Sequence, residues 1–434
     1  MIQFTKNATT SLLVTALLIL VGNVRVEAQI DFDKWFTNKA LRIDYFLAGN
    51  SNSENFYLDE LKYEPYWSGS HTQTIDTLNL GSYMVEVRDK NTQKLLYTKG
   101  FCTLFQEWQT IEEAKTISRA FEQVTRIPFP KQEVVVTFKS REKSGLFINL
   151  VTLEIDPASI YISHNQPAMH PVSKILNSGN HNDKLDISFI AEGYTAEQME
   201  KFRNDVTKLS EYLFSQEPFS KHKNSINIWA IESPSEAEGP TNPGKNIWNK
   251  TAVNSSFYTF GIDRYLTTTK FKMVMDAAAS APTDIVYVLV NTNKYGGGGI
   301  YNHYNVTSSD HPLTNEVFIH ELGHGLAGLA DEYYTSDVAY QDFYNLSVEP
   351  WEPNITTMVN FKAKWADMVS ESTPIPTPAN PKYSNTIGAY EGGGYMSKGI
   401  YRPYINCRMH SNDADGFCPV CQRAISKVIT TYLK

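Results

Sequence analysis

The sequence predicts an α+β, multidomain chain: a β-sandwich-like amino-terminal domain followed by an α/β domain. Three observations carry this reading. Short runs rich in β-branched and aromatic residues, separated by Gly, Asn and Asp, fill residues 41–155. From residue 185 onward apolar strands alternate with amphipathic helices, and a segment marked by Pro and Gly lies between the two regions. A chain of 434 residues has room for two or three domains of roughly 100 to 200 residues, each with a core of its own.

Residues 1–28 read as an export signal. Lys6 supplies a positive start, residues 11–21 an apolar run, and Val26-Glu27-Ala28 a small-residue ending suited to cleavage near Ala28. The run is too short for a bilayer, which needs about 20 apolar residues. The mature chain is therefore expected in the periplasm, on the cell surface or outside the cell, with no membrane span. The net charge of −8 is spread without long runs, which argues against a nucleic-acid partner.

The first domain, residues 29–165, is expected to place strands at 41–47, 83–88, 95–104, 133–139 and 147–155. Thr110-Ile-Glu-Glu113 has the form of a capping box and predicts a helix to about Val124. Trp67 and Trp108 are expected in the core, and nothing in this domain points to catalysis. Residues 166–182, with Pro167, Pro171 and Asn177-Ser-Gly-Asn-His-Asn182, read as a linker.

The second domain, residues 183–434, opens with an apolar strand at 185–191. Thr195 and Gln198 then form a capping box before Met199, Phe202, Val206, Leu209 and Leu213, whose spacing is that of a helix packed on a sheet. A strand at 226–231, a helix at 269–279 and a strand at 284–291 continue the alternation. Lys294-Tyr-Gly-Gly-Gly-Gly-Ile-Tyr301 admits two readings, an edge strand on which an extended peptide could pair or a flexible loop.

Residues 318–334 carry the chemistry. His320-Glu321-x-x-His324 on a helix stacks both imidazoles on one face, where they can reach one ion. Two imidazoles suit zinc, and a catalytic zinc takes three protein ligands and leaves a position for water. Glu321, beside the first ligand, is the candidate general base and acid. Asn315 and Glu316 stand where a cap and a first-turn acid belong, while Gly325 and Gly328 are stop signals that would let the chain turn back. Asp331 is then the first candidate for third ligand, and Glu332 the alternative.

This arrangement, with a methionine downstream, resembles the metzincin pattern, although Gly328 and Asp331 each fall one residue later than in most metzincins. Gly-Leu-Ala-Asp-Glu-Tyr, Tyr-Arg-Pro, Asn-Cys-x-Met and Phe-Cys-Pro-Val-Cys are similar to peptidase family M64, named for an immunoglobulin A peptidase. The resemblance implies a metzincin-like zinc-peptidase domain behind an amino-terminal β domain. It also implies Met409 as an apolar floor under the metal. Tyr401 or Tyr404 is a candidate donor to the oxyanion.

Residues 334–399, with prolines at 350, 353, 374, 376, 378 and 381, fit no simple element and are expected to border the cleft in part. Beyond them, export favours a disulfide between Cys407 and Cys418 or Cys421. The alternative is a second, structural zinc on Cys407, His410, Cys418 and Cys421, as in archaemetzincins, which have a similar Cys spacing. Cys102 is expected to be a small buried residue. Two functions follow: a secreted zinc endopeptidase acting on proteins or peptides, or an inactive exported binding or adhesion protein that keeps its metal site.

Overall fold

In the computed structural model, residues 30–334 and 344–434 are described; the export signal read at 1–28 lies outside them. The first domain has strands β1 (Phe36–Asn50), β2 (Ser53–Glu64), β3 (Tyr83–Asp89), β4 (Leu95–Phe101), β5 (Arg119–Pro130), β6 (Val134–Arg141), β7 (Phe147–Ile155) and β8 (Ile162–Ser163). They form two sheets, ordered β5-β1-β2-β8 and β4-β3-β6-β7. Tyr45 and Phe56 of the first sheet stack at 4.4 Å and both meet Phe138 of the second at 4.9 Å, so aromatic side chains fill the space between the sheets.

Short helices α1 (Phe32–Trp35), α2 (Leu104–Trp108) and α3 (Glu113–Thr116) decorate this sandwich. The helix expected over residues 110–124 is a single turn, because the Thr110 hydroxyl donates to the Glu107 carbonyl at 2.7 Å, folding back on α2. Residues beyond it become β5, where Phe121, Gln123, Thr125 and Ile127 are buried alternately and pair along β1. A period of two governs that stretch.

The second domain is a mixed sheet of β9 (Val172–Leu176), β10 (Leu185–Glu192), β11 (Ile226–Ile231), β12 (Ile285–Val290), β13 (Gly297–Gly299) and β14 (Asn305–Ser308), ordered β13-β14-β12-β10-β11-β9. The four central strands run parallel, with antiparallel β9 and β13 at the edges. β9 falls in the segment read as linker; its pairing to β11 makes it part of this sheet. The three strands β10, β11 and β12 are buried throughout, as parallel strands covered on both faces must be.

Helices α4 (Met199–Ser215) and α6 (Thr314–Ala327) pack side by side on the sheet, and α5 (Phe271–Ala278) lies between β10 and β5 of the first domain. A hairpin of β15 (Tyr390–Gly393) and β16 (Met396–Arg402) precedes the last helix, α7 (Pro419–Thr431). No helix among the described residues is long and apolar enough to cross a membrane.

The two domains share polar ties. Arg42 donates to Asp276 at 2.6 Å, the Tyr265 hydroxyl to Glu107 at 2.6 Å, and Asn302 to the Gly100 carbonyl at 2.7 Å.

Of the two readings of the glycine run, the strand is the one observed, and its glycines face α6. A Cβ at Gly297 would stand 2.6 Å from Val317 Cγ1 and 2.8 Å from Glu321 Oε1, and one at Gly299 would stand 2.3 Å from the Glu321 carbonyl oxygen. Tyr265 bridges Gly297 from the outer side, so that position is not open to a pairing peptide. The run thus forms the edge strand of the first reading, and its glycines let a helix approach. Gly299→Ala is expected to destabilise the chain by about 1–3 kcal/mol, as overpacking does. A thermal midpoint equal to wild type would show that strand and helix are not held this closely.

Candidate metal centre and its supporting residues

α6 is fixed from below by the sheet. Phe318 packs on Phe189 at 5.8 Å and on Tyr287 at 4.9 Å, and the Tyr287 hydroxyl donates to the Phe318 carbonyl at 3.0 Å. The helix begins at Thr314, so Asn315 lies inside the first turn and caps nothing, while Glu316 is the expected first-turn acid. Gly325 is also internal: a Cβ there would stand 1.8 Å from Asn305 Oδ1. The stop is Gly328, at φ 59°, whose N–H returns to the His324 carbonyl at 2.9 Å. A side chain at that position would also strike Trp351 at 2.7 Å.

After Gly328 the chain reverses beside its own helix. Asn354 holds it there, accepting from the Ala330 N–H at 2.7 Å and donating to the Ala330 carbonyl at 2.9 Å. The Glu332 N–H donates to the Met409 carbonyl at 2.8 Å, and the Gly394 N–H to the Asp331 carbonyl at 2.8 Å. These bonds turn Asp331 toward the helix.

His320 Nε2 and His324 Nε2 lie 3.1 Å apart, and Asp331 Oδ1 lies 3.1 Å from the first and 3.3 Å from the second. His320 Nδ1 donates to the Arg408 carbonyl at 3.0 Å and His324 Nδ1 to the Leu329 carbonyl at 2.5 Å. With both Nδ1 atoms so engaged, each Nε2 turns a lone pair to the same point. Asp331 Oδ1 is buried with no partner besides the two imidazoles. Three electron-rich atoms facing one another call for positive charge among them, as a proton on an imidazole or as a metal ion. A tetrahedral zinc with bonds of about 2.0–2.1 Å sets its ligands about 3.3 Å apart, which these distances fit.

The same charges act on the titrating groups. Burial works against a charged His324, yet Asp331, by charge and by hydrogen bond, and Glu321 outweigh it and push the imidazole up to about 9. The two histidines overcome the burial of Asp331 and hold its carboxyl well below the usual carboxylate range. Burial raises Glu321, against the pull of His320 and His324. A raised carboxyl is better placed to take and return a proton near neutral pH.

Glu332, the alternative third ligand, turns the other way. Its Oε1 accepts from Cys421 Sγ at 3.2 Å and from Asn354 at 3.0 Å. All four cysteines are free thiols, with Cys407 Sγ and Cys421 Sγ 3.7 Å apart, so the expected disulfide is not formed. His410 stands apart from the cysteines, donating through Nδ1 to the Glu332 carbonyl at 3.0 Å and lining the cleft. Met409 is fully buried, with its sulfur 2.9 Å from where a Cβ on Gly323 would be, against α6 between the two histidines.

Tyr401 and Tyr404 do not line this cleft: Tyr401 is paired with Thr356 and Glu391, and Tyr404 stands near Cys418. The phenols at the site are Tyr333 and Tyr395. Tyr395 occupies the tip of the β15–β16 hairpin, where both Gly394 (φ 55°) and Tyr395 (φ 64°) are left-handed. A tyrosine there costs roughly 1–3 kcal/mol of backbone strain. Its hydroxyl donates to Asp331 Oδ2, which leaves Oδ1 for the histidines.

The surrounding cleft has a volume of about 1950 Å³ and is walled by both domains. Glu107 of α2 lines it, pushed up to about 7 chiefly by burial, with the Tyr265 hydroxyl and His324 pulling the other way. Arg264 lines it too, in hydrogen-bond contact with Tyr333 and close enough to Glu321 for their charges to interact. None of Glu107, Arg264, Asn354 or Tyr395 carries a sequence signal, because each is brought in from a distant segment.

Comparison with known families finds two matches. The family model described as IgA Peptidase M64 matches residues 173–383 and 379–429, and the one described as Peptidase M64 N-terminus matches residues 31–152. No curated protein matches the chain. Tyr395→Phe is expected to lower the affinity for zinc about 10–100-fold, the usual effect of losing a partner of a metal ligand. Competition against a chromophoric chelator measures it, and an unchanged dissociation constant would remove the phenol from this role.

Proposed function

The chain belongs to the M64 peptidase family, and from that premise we propose that it is an exported, zinc-dependent endopeptidase with a metzincin-like catalytic domain. His320, His324 and Asp331 would hold the ion, and Glu321 would serve as general base and then general acid. The observation that carries this reading is the meeting of His320 Nε2, His324 Nε2 and the otherwise unpartnered Asp331 Oδ1 within 3.3 Å of one another. Zinc, when bound, supplies hydroxide near neutral pH and polarises a carbonyl.

The chain's own groups do the rest. Glu321 lies against the glycine strand, facing the cleft, where it can take a proton from the attacking water and pass it to the leaving amine. Arg264 supplies a cation whose charge acts on Glu321 and favours its ionised, proton-accepting form. Tyr395 and the Arg408 and Leu329 carbonyls orient the ligands. A cleft of about 1950 Å³ walled by two domains has room for a polypeptide segment. Immunoglobulin, in the family's name, is one candidate substrate among proteins at large.

Glu321→Gln is expected to lower kcat/KM about 10²–10⁴-fold, the span of a lost general base, while zinc content by mass spectrometry stays at the wild-type level. Cleavage of a proteome-derived peptide library by the variant at the wild-type rate would overturn the role of Glu321. Wild-type chain that cleaves nothing, with zinc bound and without chelator, would favour an inactive binding protein instead.

A further inference from the structure

We propose that Cys407, Cys418, Cys421 and Glu332 form a second, structural zinc site, joined to the first through the dipeptide Asp331-Glu332. The four side chains are buried, and their ligating atoms all lie within 4.8 Å of one another. Cys407 Sγ and Cys421 Sγ are 3.7 Å apart. That is far from the ~2.0 Å of a disulfide and close to the ~3.8 Å between two thiolates on one tetrahedral zinc with bonds of about 2.3 Å.

The second observation is Glu332 itself. It is fully buried, and while Oε1 has Asn354 and Cys421, Oε2 has no partner. A buried carboxyl oxygen left unpaired is unfavourable until a proton or a cation meets it, and three sulfur atoms stand ready to share a cation with it. Three thiolates and a carboxylate make a closed set of four, with no position for water, which is the mark of a structural ion. The local fold accommodates their charge: Cys418 and Cys421 sit at the amino end of α7, where the helix dipole favours anions, and the Cys418 N–H donates to Cys407 Sγ at 3.2 Å. Binding displaces the thiol protons to solvent as the sulfurs take up the ion.

The site differs from the Cys407, His410, Cys418, Cys421 set drawn from spacing alone, because Glu332 and not His410 completes the group whose ligating atoms lie within 4.8 Å of one another. Its place explains a use. Glu332 is bonded to Asp331, and Cys407 precedes the Arg408 whose carbonyl orients His320. An ion that pins Glu332 and Cys407 therefore fixes two supports of the catalytic ligands.

The test is cobalt substitution of the full chain, with metal counting. Wild type is expected to bind two ions per chain and to show the near-ultraviolet charge-transfer absorption of thiolate on cobalt. His320→Ala with His324→Ala should lose one ion and keep that absorption; Cys421→Ser should lose it. Should Cys421→Ser fail to fold, the wild-type spectrum and that of the histidine variant decide. Wild type with one ion and no thiolate absorption, or a disulfide among the three cysteines in the unreduced intact mass, would overturn the proposal. These outcomes are separable from the peptidase reading: thiolate absorption without cleavage sinks only the latter, and cleavage without the absorption only the former.

Discussion

The site depends on one reversal of the chain at Gly328. A helix can put two imidazoles on one face, but its own geometry cannot supply a third ligand to the same point. That ligand must come from a segment running back along the helix, and the left-handed glycine packed against Trp351 makes the return possible. Asn354 then clamps Ala330 on both its N–H and its carbonyl, so the direction in which Asp331 points is set by backbone hydrogen bonds. A carboxylate placed in this way meets the histidines without its own flexible stem having to find them.

The same reversal divides two neighbouring acids between two environments. Asp331 faces imidazoles and a phenol, and Glu332 faces sulfur and an amide. The Met409 carbonyl receives the Glu332 N–H, while the Met409 side chain packs against Gly323 on the helix. Residues 407–410 and 330–332 therefore act as one unit. Thiols, acids and the methionine floor are held by a few backbone bonds.

Much of this was legible in the chain. The strands at 185–192, 226–231 and 285–290 announce themselves as mainly apolar runs, since a parallel strand covered on both faces buries both of its sides. The helix ligands are legible because their spacing is the helical repeat. The stretch after Thr110 was not, because a local capping pattern and a long-range pairing with β1 compete there, and pairing along the whole of β5 prevails. Tyr395, Asn354 and Glu107 were illegible for another reason: each reaches the site from a different part of the chain, and no local pattern records such a meeting. The alternative set with His410 was drawn from Cys-x-x-His spacing, and no local pattern shows that Glu332, from a distant segment, is the residue that joins the three cysteines.

The loop of Arg141–Leu146 and the end of α2 line the same cleft as the histidine helix, although they belong to the sandwich. Two separate stretches of the chain therefore shape one cavity, and turns of the sandwich can vary its wall without touching the helix that carries the histidines.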